Sequence, residues 1–245
     1  MKNINKNIDI LVNHSKHITS KKQAIEIAIT HLYHLALTRK VQFSFRTSPF
    51  CEKITKVDPP ITTTQQEDKL LAEIVAGIFN IYLKSEPFTD VLTELYGNVL
   101  NYKLGQHMTP ADIAEALPEF MDTDNQIGEQ LNSQNTISVF DPACGTGGLI
   151  LGKCRFILKK YGKDTLSRID LFANDIDQKM CIATVANIEL NSLIHNIPYN
   201  QLTVYNENAL ITDYDNDTEP FYLIIPDFMR HRKTRMLYDY EKQAA

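Results

Sequence analysis

One stretch constrains the fold more than any other. Thr136-Ile137-Ser138-Val139-Phe140 has the β-branched and apolar character of a strand, and it runs straight into Asp141-Pro142-Ala143-Cys144-Gly145-Thr146-Gly147-Gly148. An apolar helical pattern follows, to about residue 160. The chain holds only nine glycines, so three of them within four positions mark a turn that the backbone could not make otherwise. The pattern then repeats, with a strand over 169–173, a helix over 177–192, and short strands near 202–205 and 221–225. Alternation of this kind predicts parallel strands with helices packed on the faces of the sheet.

The N-terminal part reads differently. Ile25, Ile29, Leu32 and Ala36 keep helical spacing across residues 20–40, and Val41 to Thr47 alternate as a short strand would. Thr64-Gln65-Gln66-Glu67 fits a capping box, opening an apolar helix through Leu70, Leu71, Ile74, Val75, Ile78 and Phe79 that Pro87 terminates. A further helix is predicted over 88–100. His31 and His34 stand three apart, but no third metal ligand accompanies them, so they are read as helix-packing residues. The organisation predicted is a helical subdomain over residues 1–103 and an α/β domain over 104–245.

Composition excludes several classes. With 43% hydrophobic and 22% charged residues the chain can bury a core, which rules out a disordered tail or a collagen-like rod. Cys51, Cys144, Cys154 and Cys181 form no C-x-x-C pair, no apolar run is long enough to cross a bilayer, and the first residues are polar. A reduced, cytoplasmic protein without membrane contact is expected. The net charge of −5 is segregated: residues 1–60 carry ten Lys/Arg against four Asp/Glu, whereas residues 104–152 carry seven acids and no Lys or Arg. A basic first third beside an acidic centre is compatible with a nucleic-acid-facing arm next to a site for a cation, although scattered solvated lysines are the commoner explanation.

In open parallel sheets, ligands bind where strand ends meet helix N-termini, which is where the glycine turn lies. Asp141 at that strand end would repel a pyrophosphate but suits an ammonium or sulfonium group, and the Lys-Ser/Thr of a phosphate loop is missing. Asp175, at the end of the next strand, is placed to accept two ribose hydroxyls, while Asp177 is read as the N-cap of the following helix.

These residues carry a resemblance. The segment Asp141 to Gly148 resembles the S-adenosylmethionine-binding motif of adenine-N6 DNA methyltransferases, in particular the modification subunits of type I restriction systems. Gly105-Gln106-His107-Met108-Thr109-Pro110 resembles the segment those proteins place upstream to help hold the methionine part of the cofactor. Asn174-Asp175-Ile176-Asp177, with Thr184 to Asn187 beyond it, resembles their next segment. The resemblance implies a Rossmann-like S-adenosylmethionine-dependent methyltransferase sheet, with Thr109, Pro110, Asp141, Pro142, Ala143, Gly145, Thr146, Gly147, Asp175 and Asn208 around the cofactor. Thr109 is read as the N-cap and Pro110 as the first position of a helix over 110–117.

The family's Asn/Asp-Pro-Pro-aromatic tetrad, which binds the target adenine, is not intact. The fourth strand leads into Pro226-Asp227-Phe228, where Asp227 and Phe228 are the candidate catalytic remnants, and Asp58-Pro59-Pro60-Ile61 lies too early in the chain and lacks the aromatic. Only seventeen residues follow Phe228, so the sheet is expected to be partial and to leave Leu223, Ile224 and Ile225 on an unprotected edge. The basic run Arg230-His231-Arg232-Lys233-Thr234-Arg235 has three readings: a phosphate contact, the charge that blunts an open edge, or an altered reading frame. The resemblance thus implies a cofactor-binding protein of this family that reaches DNA within a larger complex, with restriction-modification subunits or a second copy as partners. An inactive regulatory descendant, or a remnant of a longer enzyme, stays open as an alternative.

Overall fold

The structure, a computed structural model, describes residues 1–42, 52–58, 64–97, 109–122, 126–214 and 218–224. Helices α1 (Lys2–His14), α2 (Lys21–Gln42), α3 (Gln65–Lys84) and α4 (Leu92–Gly97) come first, with strand β1 (Glu52–Ile54) between α2 and α3. Then follow α5 (Ala111–Met121), α6 (Gln126–Ser133), β2 (Ile137–Asp141), α7 (Gly148–Tyr161), α8 (Lys163–Leu166), β3 (Ile169–Asn174), α9 (Gln178–His195), β4 (Gln201–Tyr205) and β5 (Tyr222–Ile224). The fold is α/β with a helical N-terminal part, and one buried apolar cluster runs from Ile4 to Tyr222. The predicted boundary at residue 103 falls on residues 98–108, outside those described.

Local chemistry explains most helix limits. The Thr64 hydroxyl accepts from the Glu67 amide at 3.2 Å, as the capping box requires. Ile25, Ile29, Leu32 and Ala36 are all buried on α2, but this helix continues through Gln42, which removes the first two positions from the strand predicted over 41–47; the others lie outside the described residues. The helix predicted from residue 88 starts only at Leu92. Phe88 adopts a left-handed φ of 59°, which no helix tolerates, and Asp90 Oδ1 accepts from the Thr93 amide at 3.0 Å to open the helix there. Among the described residues no third His, Cys, Asp or Glu joins a metal-sized group, and no helix is long and apolar enough to cross a membrane.

The sheet order is β1-β5-β4-β3-β2. Strands β2, β3 and β4 are parallel, as the alternation predicts. Strand β5 is not: it pairs antiparallel with β4, with Tyr222 opposite Val204 and Ile224 opposite Leu202. The sequence expectation of a fourth parallel strand is corrected here, because hydrophobic pattern identifies a strand but not its direction. A second correction concerns its edge. Strand β1, from the N-terminal part, pairs antiparallel with β5 (Glu52 with Ile224, Ile54 with Tyr222), so Leu223 and Ile224 are covered by a fifth strand rather than left open. Ile225 lies outside the described residues.

At the other margin, β2 has a described neighbour on one side only, and Phe140 there is 47% exposed. A groove of about 430 Å³ follows this margin between α5 and α7, lined by Leu117, Met121, Val139, Leu149 and Lys153 among others. Helices α5 and α7 lie side by side through an uncommon contact. Pro118 has no amide to donate to the carbonyl four residues back, and that carbonyl, Ala114 O, instead lies against Gly152 of α7. A Cβ at position 152 would sit 2.0 Å from this oxygen. Gly152→Ala should therefore force the helices apart and cost about 1–3 kcal/mol of overpacking. Urea unfolding checks the loss, and early proteolysis within α5 locates it.

Candidate ligand site at the glycine turn

The glycine turn joins the end of β2 to α7, and its shape is set by the backbone. Gly145 (φ 55°) and Gly147 (φ 87°) occupy the left-handed region that side chains disfavour. The Gly147 amide donates to Cys144 O at 2.8 Å, and the Cys144 amide donates to Asn174 O at 2.8 Å, tying the turn to the end of β3. From α9, the Thr184 hydroxyl donates to Gly145 O at 2.8 Å. Pro142 and Ala143 are exposed and Gly145 is half-buried, so these residues form the open face of the turn.

Two carboxylates flank it. Asp141, 9% exposed, accepts from the Ala143 amide at 3.1 Å. Asp175 accepts from the Gly145 amide through one oxygen and from the Asp177 amide through the other, each at 2.9 Å. The Ile176 amide also acts on this carboxylate, and since a carboxylate offers about four acceptor sites, some acceptor capacity remains on Asp175. Burial pushes both carboxyls above the ordinary aspartate range; the amides they accept from oppose this, and the Asp175 charge adds to it at Asp141. The turn thus offers acceptors and negative charge, an environment for a cation with hydroxyls and not for a phosphate.

The other predicted residues fall unevenly around the turn. Asp177 caps α9 by accepting from the Lys179 amide at 2.9 Å, as the sequence predicts. Thr146 is fully buried and its hydroxyl turns beneath the turn, towards Thr93 at 2.7 Å. Asn208 uses its side-chain carbonyl to accept from the Leu210 amide at 3.1 Å, shaping its own turn. Pro110, not Thr109, is the N-cap of α5, and the helix runs from Ala111 to Met121, not over 110–117. Proline's fixed φ lets it precede the helix in an extended conformation (ψ 144°), and its carbonyl accepts the first helical bond from the Ala114 amide at 3.0 Å.

The N-terminus of α5 and the glycine turn share one end of the molecule. Ala114 lies against Gly152, Glu115 pairs with Arg155, and Asp122 pairs with Lys160 at 2.9 Å. These partners advance together, so α5 and α7 are parallel, and the same register extended backwards brings Pro110 level with Gly148. Asp227 and Phe228 lie outside the described residues. The strand that leads to them, however, descends from the level of Val204 to that of Leu202, away from the end of the sheet that carries the turn.

Sequence reasoning gave no role to Asn174. This buried side chain donates to Pro142 O and to Glu207 O, both at 3.0 Å, and accepts from the Glu207 amide at 3.1 Å. It joins the ends of β2, β3 and β4 around the site. An asparagine beside an acid at a strand end was the available signal.

The two raised carboxyls make stability and cation affinity depend on pH in opposite directions. Each holds its proton more tightly folded than unfolded, so its stabilising contribution is complete below the unfolded value and is lost as pH rises through the folded one. Cation binding needs the ionised forms and weakens as pH falls through the same window. Stability should therefore gain relative to Asp141→Asn on acidification while affinity for a cationic ligand declines, which urea unfolding and calorimetry over a pH series check.

The family model described as N-6 DNA Methylase matches residues 89–239, more than half of the chain. No curated protein matches the sequence. Among solved structures, the chain is similar to a protein described as a class I S-adenosylmethionine-dependent methyltransferase from Listeria monocytogenes, with 12% identity and a TM-score of 0.47 over 89% of this chain and 57% of that one. It is also similar to a protein described as a modification subunit of a type I restriction enzyme from Vibrio vulnificus, with 15% identity, a TM-score of 0.43, and 85% and 55% covered. A type I restriction-modification methyltransferase subunit from Streptococcus thermophilus gives 15% identity, a TM-score of 0.39, and 63% and 30% covered. The chain spans little more than half the length of the first two. By the family match across most of its α/β part, glycine turn included, this chain belongs to the N-6 DNA methylase family.

Proposed function

We propose that this chain binds S-adenosylmethionine at the glycine turn and does not methylate adenine on its own. The observation that carries the first half is the placement of Asp141 and Asp175 on either side of Gly145, at the carboxyl ends of adjacent parallel strands. In this reading Asp175 accepts the ribose hydroxyls, and Asp141 lies on the side of the sulfonium. Pro142, Ala143, Gly145 and Gly147 let the cofactor approach the backbone. The first turn of α5, with Thr109 and Pro110 before it, presents amides to the methionine carboxylate, and Thr146 and Asn208 hold the loops that carry these groups. The cofactor, when bound, would supply an electrophilic methyl group; the chain's own residues orient it, with the Asp141 carboxylate turned to its positive charge.

The second half rests on the direction of β5. Adenine methylation requires an acceptor side chain and an aromatic ring beside the methyl group to position an extruded base. The sequence places only Asp227 and Phe228 in that role, after a strand that runs away from the turn and is separated from β2 by β4 and β3. A partner is therefore proposed to complete the site: a restriction-modification subunit or a second copy, with DNA, the family's substrate, held in the larger complex.

Calorimetry with S-adenosylmethionine should give saturable binding that Asp175→Ala weakens by about tenfold or more, through loss of charge-assisted hydrogen bonds. Absence of binding by the unaltered chain removes the cofactor assignment. Transfer of labelled methyl groups to adenine-containing DNA should be undetectable with the isolated chain, and turnover there overturns the second half.

A further inference from the structure

A polar stripe crosses an otherwise buried helix. Thr184, Asn187 and Asn191 recur at helical spacing on α9, and Asn187 and Asn191 are fully buried. Thr184 holds the glycine turn directly, while the two asparagines hold a segment far away in sequence. Asn191 Nδ2 donates to Thr89 O at 3.2 Å. Asn187 Nδ2 donates to Asp90 Oδ1 at 2.8 Å and to Thr146 O at 3.0 Å. The Tyr82 hydroxyl, fully buried on α3, donates to Asn187 Oδ1 at 2.6 Å. Because burial pushes that hydroxyl well above its ordinary value, it stays a donor, which fixes the orientation of the amide and aims its nitrogen at Asp90 and the turn.

Segment 89–93 also touches the turn itself. The Thr93 and Thr146 hydroxyls share a hydrogen bond of 2.7 Å. A Cβ on Gly148 would lie 2.7 Å from Asp90 Oδ2, so the last glycine of the turn makes room for this carboxylate. An acid against the first turn of α7 also meets the positive end of that helix. The family match opens at residue 89 and takes in the whole segment.

We propose that Asp90, acting through Asn187 and Thr93, is a positioning residue that holds the glycine turn in its ligand-accepting shape without touching the ligand. The proposal rests on the reading that the turn holds S-adenosylmethionine. Its logic is geometric. Gly145 and Gly147 give the turn conformational freedom, and an unsupported glycine-rich loop spreads over many shapes. Thr184 fixes one carbonyl of the turn, Asn187 fixes the next, and Asp90 anchors the Asn187 amide that Tyr82 orients while occupying the space below Gly148. Affinity is gained because the ordering cost is met before the ligand arrives.

The test compares the full-length chain with Asp90→Ala and Asp90→Asn. In the free proteins, hydrogen exchange at the Gly147 and Leu151 amides should be faster for Asp90→Ala than for the unaltered chain, with exchange in α1 and α2 unchanged. Asp90→Asn keeps an oxygen for the Thr93 amide and for Asn187, and should restore slow exchange. S-adenosylmethionine should bind Asp90→Ala about tenfold more weakly and Asp90→Asn nearly as well as the unaltered chain. Unchanged exchange at the turn in Asp90→Ala overturns the proposal, as does faster exchange spread equally over α1 and α2. If the unaltered chain does not bind S-adenosylmethionine, the cofactor reading falls, and the exchange comparison still decides whether Asp90 positions the turn.

Discussion

Helix α9 has almost no solvent-facing side, and the rest of the structure is arranged around that fact. From Met180 to Ser192 every residue is buried, because the sheet lies on one side and helices α2 and α3 on the other. A helix enclosed in this way must satisfy each of its polar side chains with protein partners. Thr184 and Asn187 reach the glycine turn, and Ser192 donates to Ile197 O at 2.9 Å. Glu189 accepts from Tyr199 and Tyr222, whose hydroxyls remain protonated because burial and the Glu189 charge both raise them. The helix therefore connects the glycine turn, the last described strand and the N-terminal helices through side chains that cannot be exchanged for apolar ones without losing those connections.

Much of this was legible in the sequence. Strand, glycine turn and helix are short-range patterns, and residues 136–160 specify theirs completely; the capping residues Thr64 and Asp177 do so as well, since a cap depends on amides two or three positions away. Asp141 and Asp175 could be paired because parallel strands end at the same edge. Less was legible where the decisive partner is distant. The role of Asn187 depends on Asp90 and Tyr82, about a hundred residues earlier. The cover on β5 comes from β1, whose three residues carry no pattern of their own. The start of α4 was missed for a local reason of another kind, a non-glycine residue, Phe88, in a left-handed conformation that only burial of its ring would justify.

The glycines of the turn serve different purposes. Gly145 and Gly147 supply φ values that other residues reach only with strain, whereas Gly148 has an ordinary helical position and supplies space. A cluster of three therefore does not mean three contacts with a ligand. The turn is shaped by what lies beneath it as much as by what it receives.

The margin at β2 lies beside the groove between α5 and α7. Strands β1 and β2 are the two margins of the described sheet, and of these it is β2 that leads into the glycine turn. The groove along that margin ends at Asp141 and Pro142, which are also the first residues of the ligand turn. Asp141 and Pro142 thus belong to two surfaces at once, the wall of the groove and the start of the glycine turn, so a change of shape at either surface is passed to the other through the same two residues.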